Sequence, residues 1–234
     1  MPDEEQRRFW NQWNAEHRWA AHLPEVSRRQ GEIVGRWLKD LRRTDLRIIE
    51  VGCGAGWLTP SLTPFGTVTA TDLSDELLTK AQVRHPDVRF VAGDFMTLDV
   101  GDAFDVAVSL EVLSHVADQP AFIAKIASLL KIGGYLMLAT QNRSVLERYN
   151  RIPPPARGQL RRWVDAKELD SLLRPHFDVL ELRSVTPQAN RGLMRIATSS
   201  KVNAAISSFA GTKLRDFLER RGLGWTLIAL ARKR

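Results

Sequence analysis

The chain has 234 residues, 44% of them hydrophobic and 26% charged, with a formal net charge of +7. That is enough chain to bury a core without staples, and the composition is that of a globular domain. It has no run of about eighteen apolar residues, which excludes a membrane span, and its single cysteine, Cys53, excludes an intrachain disulfide and points to a reducing, cytoplasmic setting.

The first residues, MPDEEQRRFWNQW, are charged and lack the apolar centre of a signal peptide. Residues 3–19 are expected as a helix, with Asp3, Glu4 and Glu5 at the end where negative charge suits the helix dipole. Phe9, Trp10, Trp13 and Trp19 give it an aromatic side, either to pack on the core or to lie as a lid over a ligand mouth. A second helix is expected from Pro24 to Leu41. Residues 1–44 are therefore set apart as N-terminal helices, a lid or cap, from a main domain over 45–234.

Strands and helices then alternate. Strands are expected at Leu46–Val51, Thr67–Thr71, Val88–Ala92, Phe104–Leu110 and Tyr135–Thr140. Between them lie a short helix from near Trp57, a helix capped by Ser74 and running through Arg84, and a helix over Gln119–Leu130 ending at Gly133–Gly134. Such alternation predicts a mainly parallel sheet with helices on both faces. Further on, Asp165 and Glu168 form a capping box for a helix through Arg174. Strands are expected at Phe177–Val185 and Trp225–Ala231, and helices near Lys201–Phe209 and over Thr212–Arg221. Insertions near 142–164 and 187–223 are expected to shape the substrate side, because connections that long tend to be functional or to hold structure of their own.

The chemistry begins in LRIIEVGCGAGW, residues 46–57. A buried strand ends in Glu50 and runs into a turn with Gly52, Gly54 and Gly56 at every second position, and Asp72 follows twenty residues after Gly52. Glycine lets a backbone turn tightly and approach a ligand closely, and an acid at the end of the next strand can hold ribose hydroxyls. The dinucleotide pattern G-x-G-x-x-G requires glycine where Trp57 stands, so a different nucleoside-containing cofactor is expected.

The order Glu50-Val51-Gly52-Cys53-Gly54-Ala55-Gly56 resembles motif I of the class I S-adenosylmethionine (SAM)-dependent methyltransferases. Gly93-Asp94-Phe95 after the third strand, and Leu129-Leu130-Lys131-Ile132-Gly133-Gly134-Tyr135 before the fifth, fit the same family. Glu111-Val112-Leu113-Ser114-His115-Val116 is similar to a segment of its small-molecule members of the ubiquinone-biosynthesis type. The resemblance covers residues 45–141 and more loosely the whole chain. It implies an α/β, Rossmann-like doubly wound fold: a seven-stranded, mostly parallel sheet with a C-terminal antiparallel hairpin and a helical insertion. It also implies SAM as cofactor, held by Glu50, Gly52, Cys53, Gly54, Gly56, Asp72, Leu73, Asp94, Phe95 and Leu110. In the family the acid after strand 3 meets the adenine amine and its apolar neighbour packs on the ring, roles that fall to Asp94 and Phe95.

The residues make sense of this chemistry. Backbone N–H groups of the turn can hold a carboxylate, Glu50 can favour an ammonium, and Asp72 can accept from two ribose hydroxyls. His115 sits after strand 4, at the carboxyl edge where open α/β sheets bind ligands, and its ordinary pKa near ~6.5 suits a general base. Glu111 is the neighbouring candidate for positioning the acceptor. No Cys/His cluster has zinc spacing, and no metal is expected.

Residues 1–140 carry 15 Lys+Arg against 19 Asp+Glu, while residues 141–234 carry 19 against 8. The basic half is either a solvated surface or a face for an acidic partner. The leading expectation is a methyltransferase acting on an oxygen or nitrogen of a small, anionic or lipid-linked acceptor. An RNA methyltransferase and a non-catalytic SAM-binding protein are the alternatives. Arg220 and Arg221, with a Leu214/Phe217/Leu218 stripe, could contact an anionic lipid surface.

Overall fold

The computed structural model describes residues 2–17, 23–101, 103–198 and 208–234. Seven strands form one sheet: β1 (Leu46–Val51), β2 (Gly66–Asp72), β3 (Arg89–Ala92), β4 (Phe104–Leu110), β5 (Leu130–Gln141), β6 (Phe177–Val185) and β7 (Thr226–Lys233). Their spatial order is β3-β2-β1-β4-β5-β7-β6. β1 to β5 pair in parallel, and β7 lies antiparallel between β5 and β6. The order reverses at the boundary between β1 and β4. In open α/β sheets, ligands bind at such a point, beyond the carboxyl ends of the strands.

Nine α-helices are described: α1 (Pro2–His17), α2 (Glu25–Asp40), α3 (Thr59–Leu62), α4 (Asp75–Arg84), α5 (Gln119–Leu129), α6 (Arg143–Tyr149), α7 (Ala166–Leu173), α8 (Gly192–Ala197) and α9 (Ser208–Arg220). They cover both faces of the sheet. Ile33, Val34, Trp37 and Leu38 of α2 pack with Ile48, Val106, Val108 and Met137 on one face. Phe122, Ile123 and Ile126 of α5 and Leu169 and Leu173 of α7 pack with Ile49, Ala107, Leu136 and Leu138 on the other. α2 thus belongs to the main core. Burying one such aliphatic side chain contributes about 1.5–3 kcal/mol, so this amphipathic helix is held by its buried stripe. Among the described residues, no helix is long and apolar enough to cross a membrane.

Several expected boundaries move. The helix near Trp57 begins only at Thr59 and gives way to a 3-10 turn at Thr63–Phe65. Ser74 holds the N-cap position of α4, but its hydroxyl makes no capping bond. The Asp72 carboxylate accepts the Ser74 N–H instead, at 2.9 Å. α5 ends at Leu129, and the chain enters β5 directly rather than turning at Gly133–Gly134. Buried Leu130 pairs with Phe104, and a register shift between Phe104 and Val106 absorbs the irregularity. The capping box of α7 forms as expected, with Asp165 and Glu168 exchanging side-chain and backbone bonds. Trp19, the side chain of Trp13 and most of the helix expected over Lys201–Phe209 lie outside the described residues. The Leu214/Phe217/Leu218 stripe divides: Leu218 is buried, while Phe217 is exposed with the Arg221 guanidinium over its ring.

Candidate active site

The glycine turn is braced from β2. Gly52 and Cys53 donate their N–H groups to the Thr71 carbonyl, at 2.8 and 2.9 Å. Gly54 donates to Asp72 Oδ2 at 2.8 Å, and Gly56 closes the turn onto the Cys53 carbonyl at 2.9 Å. Four of the N–H groups expected to face a ligand therefore have partners within the protein. Those of Ala55 and Trp57 have none among the described residues. Gly52 has φ +77°, and a Cβ there would stand 2.1 Å from Val112 Cγ2. Gly54 has φ +55°, and no atom lies within 4 Å of where its Cβ would be. The first glycine is filled against by protein and the second opens onto free space, as a cradle for a ligand does.

Acids flank this space. Glu50, 4% exposed, accepts from the Thr59 hydroxyl at 2.5 Å. Burial pushes its pKa up to about 8, against the hydrogen bond from Thr59 and with the help of nearby Asp72. Burial also raises Asp72, against the backbone bonds from Ser74 and Gly54. Each carboxylate oxygen of Asp72 has accepted one hydrogen bond, and each keeps a lone-pair site. Leu73 follows it directly and is half-buried. Cys53 is buried, with Sγ 3.8 Å from the Gly54 carbonyl, and burial pushes its thiol far up. A cysteine so held is a packing residue of the turn rather than a nucleophile.

After β3, Asp94 Oδ1 accepts the Met96 N–H at 2.9 Å, which shapes the loop. Phe95 lies in the core, edge-on to Phe122 at 5.4 Å, with Lys125 Nζ 5.3 Å from its ring centroid. Its half-buried neighbour Met96 is the apolar side chain of this loop with more exposure. Leu110 ends β4 opposite Ala139.

Glu111 and His115 leave the same edge. Glu111 has φ +63°, a left-handed conformation that costs a non-glycine residue roughly 1–2 kcal/mol. Its N–H donates to Ala139 O at 2.8 Å. Its Oε1 accepts from Gln30 Nε2 of α2 at 2.5 Å and from Thr226 Oγ1 of β7 at 3.2 Å. Burial pushes its pKa up to about 7, with both hydrogen bonds opposing. His115 closes the 3-10 turn Leu113–His115. Its Nδ1 lies 2.8 Å from the Leu160 carbonyl, and Trp10 of α1 stands edge-on to its ring at 4.7 Å. Gln6 of α1 donates to the His115 carbonyl at 2.6 Å. Burial lowers the imidazole pKa, opposed by the bond to Leu160 and reinforced by Arg161.

Thr59, Gln30, Leu160 and Gln6 therefore hold the acids and the histidine without having been singled out in the sequence, while Trp10, one of the aromatic residues of the expected N-terminal helix, stands against His115. Thr59 is the first hydroxyl after the glycine turn, a local position the sequence could have offered. The others arrive from more than forty residues away. The structure gathers Glu50, the glycines, Asp72, Asp94, Glu111 and His115 along the carboxyl edge of β1 to β4, and turns Phe95 and Cys53 into the protein. Among the described residues, no cluster of three metal-ligating side chains is present.

Together, the sheet order, the glycine turn and the acid ending β2 are similar to those of the class I SAM-dependent methyltransferases. Residues 49–138 match the family described as "Methyltransferase domain". A ubiquinone biosynthesis O-methyltransferase of Xanthomonas axonopodis pv. citri (strain 306) is 38% identical over 105 residues, covering 42% of this chain and 44% of the relative. The chain thus matches less than half the length of this curated relative. Among solved structures, the N-methyltransferase NodS from Bradyrhizobium japonicum WM9, in complex with S-adenosyl-l-homocysteine, superposes with a TM-score of 0.65 at 16% identity, covering 98% of both chains. The [4+2]-cyclase SpnF superposes with a TM-score of 0.58 at 21% identity, covering 86% of this chain and 80% of that one. A cyclase on the same scaffold shows that the fold by itself does not set the reaction.

SAM, the cofactor of the class, fits what the residues offer. Gly54 opens onto space, and Glu50 and Asp72 supply carboxylates. Thr71 Oγ1, Ser74 Oγ and Ser109 Oγ, at the carboxyl ends of β2 and β4, are buried with no hydrogen-bond partner among the described residues. Buried polar atoms without partners are costly unless a ligand or water satisfies them.

Proposed function

We propose that this chain transfers a methyl group from SAM to an oxygen of a small-molecule acceptor. The observation that carries this reading is the state of His115. A carbonyl only accepts, so the Leu160 oxygen fixes the proton on Nδ1 and leaves Nε2 as the basic nitrogen. Burial lowers the pKa, which keeps that nitrogen free at neutral pH. A hydroxyl acceptor must lose a proton to become a good nucleophile; an amine that is already neutral need not. The matched relative, an O-methyltransferase, supports the same choice.

SAM supplies a methyl group on a positively charged sulfur, a leaving group that requires no protonation. The chain supplies position and proton removal. Asp72 accepts from the ribose hydroxyls, Glu50 faces the ammonium, Asp94 takes the adenine amine, and Met96 shares with Phe95 the apolar side of that loop. Glu111, held by Gln30 and Thr226, positions the acceptor. His115 Nε2 removes the hydroxyl proton. Trp10 and Gln6 of α1 cover this side and exclude water, so the N-terminal helix is the lid of the acceptor site. Alignment of the two reactants supplies much of the acceleration.

The basic half, residues 141–234, suits an anionic acceptor. The test is methyl transfer from radiolabelled SAM into cell extract split into small polar, lipid and nuclease-sensitive fractions, with Asp72→Ala protein as control. Label in a small-molecule or lipid fraction, absent from the control, is the expected result. Label removed by nuclease would replace this reading with an RNA methyltransferase that uses the basic half for phosphate contacts.

A further inference from the structure

A cavity of about 510 Å³ lies between the loop after α6 and the start of α8, lined by Arg151, Asn190, Arg191, Gly192, Arg195 and Ile196. Its size is that of a small-molecule site. Three of its six lining residues are arginines, and none is acidic.

Polar clamps preform the walls. Asn190 Oδ1 accepts the Arg151 N–H at 2.7 Å, and Asn190 Nδ2 donates to the Arg151 carbonyl at 3.2 Å, which fastens the two loops together. Buried Asn150 extends the clamp, accepting the Asn190 N–H at 2.9 Å and donating to the carbonyls of Val145 and Gln188. Arg191 donates Nε to the Arg148 carbonyl at 2.9 Å and Nη2 to the Glu147 carbonyl. Its guanidinium is thereby held in the wall.

Among the described residues, no carboxylate pairs with the arginines of this cavity. Arg29, Arg43, Arg143, Arg157, Arg174, Arg183 and Arg234 all pair with carboxylates. Arg161 and Arg162 bond the carbonyls of Pro153 and Ala117. The side chains of Arg151 and Arg195 have no ion pair or hydrogen bond among the described residues. Three guanidinium groups line one cavity, and like charges gathered in one place favour an anion beside them. A carboxylate brings one negative charge and a diphosphate about three, and planar arginine forks match phosphate oxygens well. No aromatic side chain lines the cavity to stack a base, which argues against single-stranded RNA as its ligand.

Its place in the fold is on the acceptor side. α6 follows β5 and α8 follows β6, and both strands are antiparallel to β7 and so run in the same direction. Both loops therefore leave the carboxyl edge of the sheet, the edge that carries His115. We propose that this cavity binds the phosphate or diphosphate group of a small anionic molecule. That the molecule is the methyl acceptor rests on the function proposed above; the binding itself does not.

The test is calorimetric titration of the full chain with sodium pyrophosphate, beside an Arg151→Gln/Arg195→Gln variant and an Arg84→Gln control on α4. Saturable binding at one site is expected, at least tenfold weaker in the double variant and unchanged in the control, with SAM titrating equally into all three. Equal pyrophosphate binding by the double variant, or none to wild-type protein that binds SAM, would overturn the proposal. So would phosphatidylglycerol vesicles that bind through Arg151 and Arg195 when pyrophosphate does not, a result assigning these arginines to a membrane face. The titration reads binding alone, so its failure leaves methyl transfer standing, and failure of methyl transfer leaves its result standing.

Discussion

Nδ1 of His115 lies 2.8 Å from the carbonyl oxygen of Leu160, forty-five residues away on the insertion after α6. That bond fixes both the tautomer and the direction of the ring. General-base catalysis contributes about 10²–10⁴-fold, so His115→Ala should lower turnover by that order and leave SAM affinity unchanged. A merely structural role would not move the pH profile. Burial depresses this imidazole below its ordinary 6.5, so wild-type turnover should hold its plateau through neutral pH and fall only below that value. An acid limb unchanged in the variant would remove His115 from proton transfer.

Gly52 and Gly54 share a left-handed backbone but face different things. A Cβ on Gly52 would collide with Val112, whereas one on Gly54 would meet no protein atom within 4 Å. Gly52→Ala should therefore destabilise the fold by about 1–3 kcal/mol through overpacking. Gly54→Ala should carry only the backbone cost, about 1 kcal/mol, and lose SAM affinity because the methyl group enters the ligand space. Thermal unfolding with and without SAM separates the two. Equal SAM-induced stabilisation of Gly54→Ala and wild type would show that the cofactor does not approach this residue.

Asp72 serves the fold as well as the cofactor, because it accepts the N–H groups of Gly54 and Ser74. Asp72→Ala leaves both donors without an acceptor, at about 1–3 kcal/mol for each that stays buried. Asp72→Asn restores a carbonyl acceptor but not the charge. It should recover part of the lost stability while SAM binding stays weak, since charge-assisted bonds are roughly twice as strong as neutral ones. Wild-type SAM affinity in Asp72→Asn would contradict the ribose role.

The sheet was legible because its signals are local. β1, β4 and β6 run over the expected residues, Leu46–Val51, Phe104–Leu110 and Phe177–Val185, since each is an apolar or alternating run bounded by turn residues. Asp165 and Glu168 gave the start of α7 for the same reason. What holds the site was not legible, because it is long-range. Nothing in the residues around Glu111 announces Gln30, eighty-one positions earlier, or Thr226, 115 later. The direction of Phe95 was hidden as well, because a motif gives a position and not an orientation. Phe122 and Lys125 pack on its ring, and only the tertiary fold places them there.

Glu111 gives the clearest pH signature. Its pKa is pushed from 4.5 up to about 7 by burial, and that of Glu50 from 4.5 up to about 8. Between the unfolded and folded values, the native state keeps protons that the unfolded chain has released. Stability then falls as pH rises. The contribution of Glu111 is fully present below 4.5 and lost as pH rises through about 7, and that of Glu50 is lost through about 8. Glu111→Gln keeps a carbonyl for the bonds from Gln30 and Thr226 and removes the titration. Its unfolding free energy, measured in denaturant at pH 5, 6, 7 and 8, should decline less steeply than that of wild type up to pH 7, with Glu50 and Asp72 carrying the remaining decline and the lowered His115 imidazole opposing it below its ordinary 6.5 in both proteins alike. Saturating SAM should flatten that upper part, because an ammonium beside Glu50 favours its ionised form. Parallel wild-type and Glu111→Gln curves would mean that Glu111 is already ionised in the folded protein, its negative charge stabilised by Gln30 and Thr226.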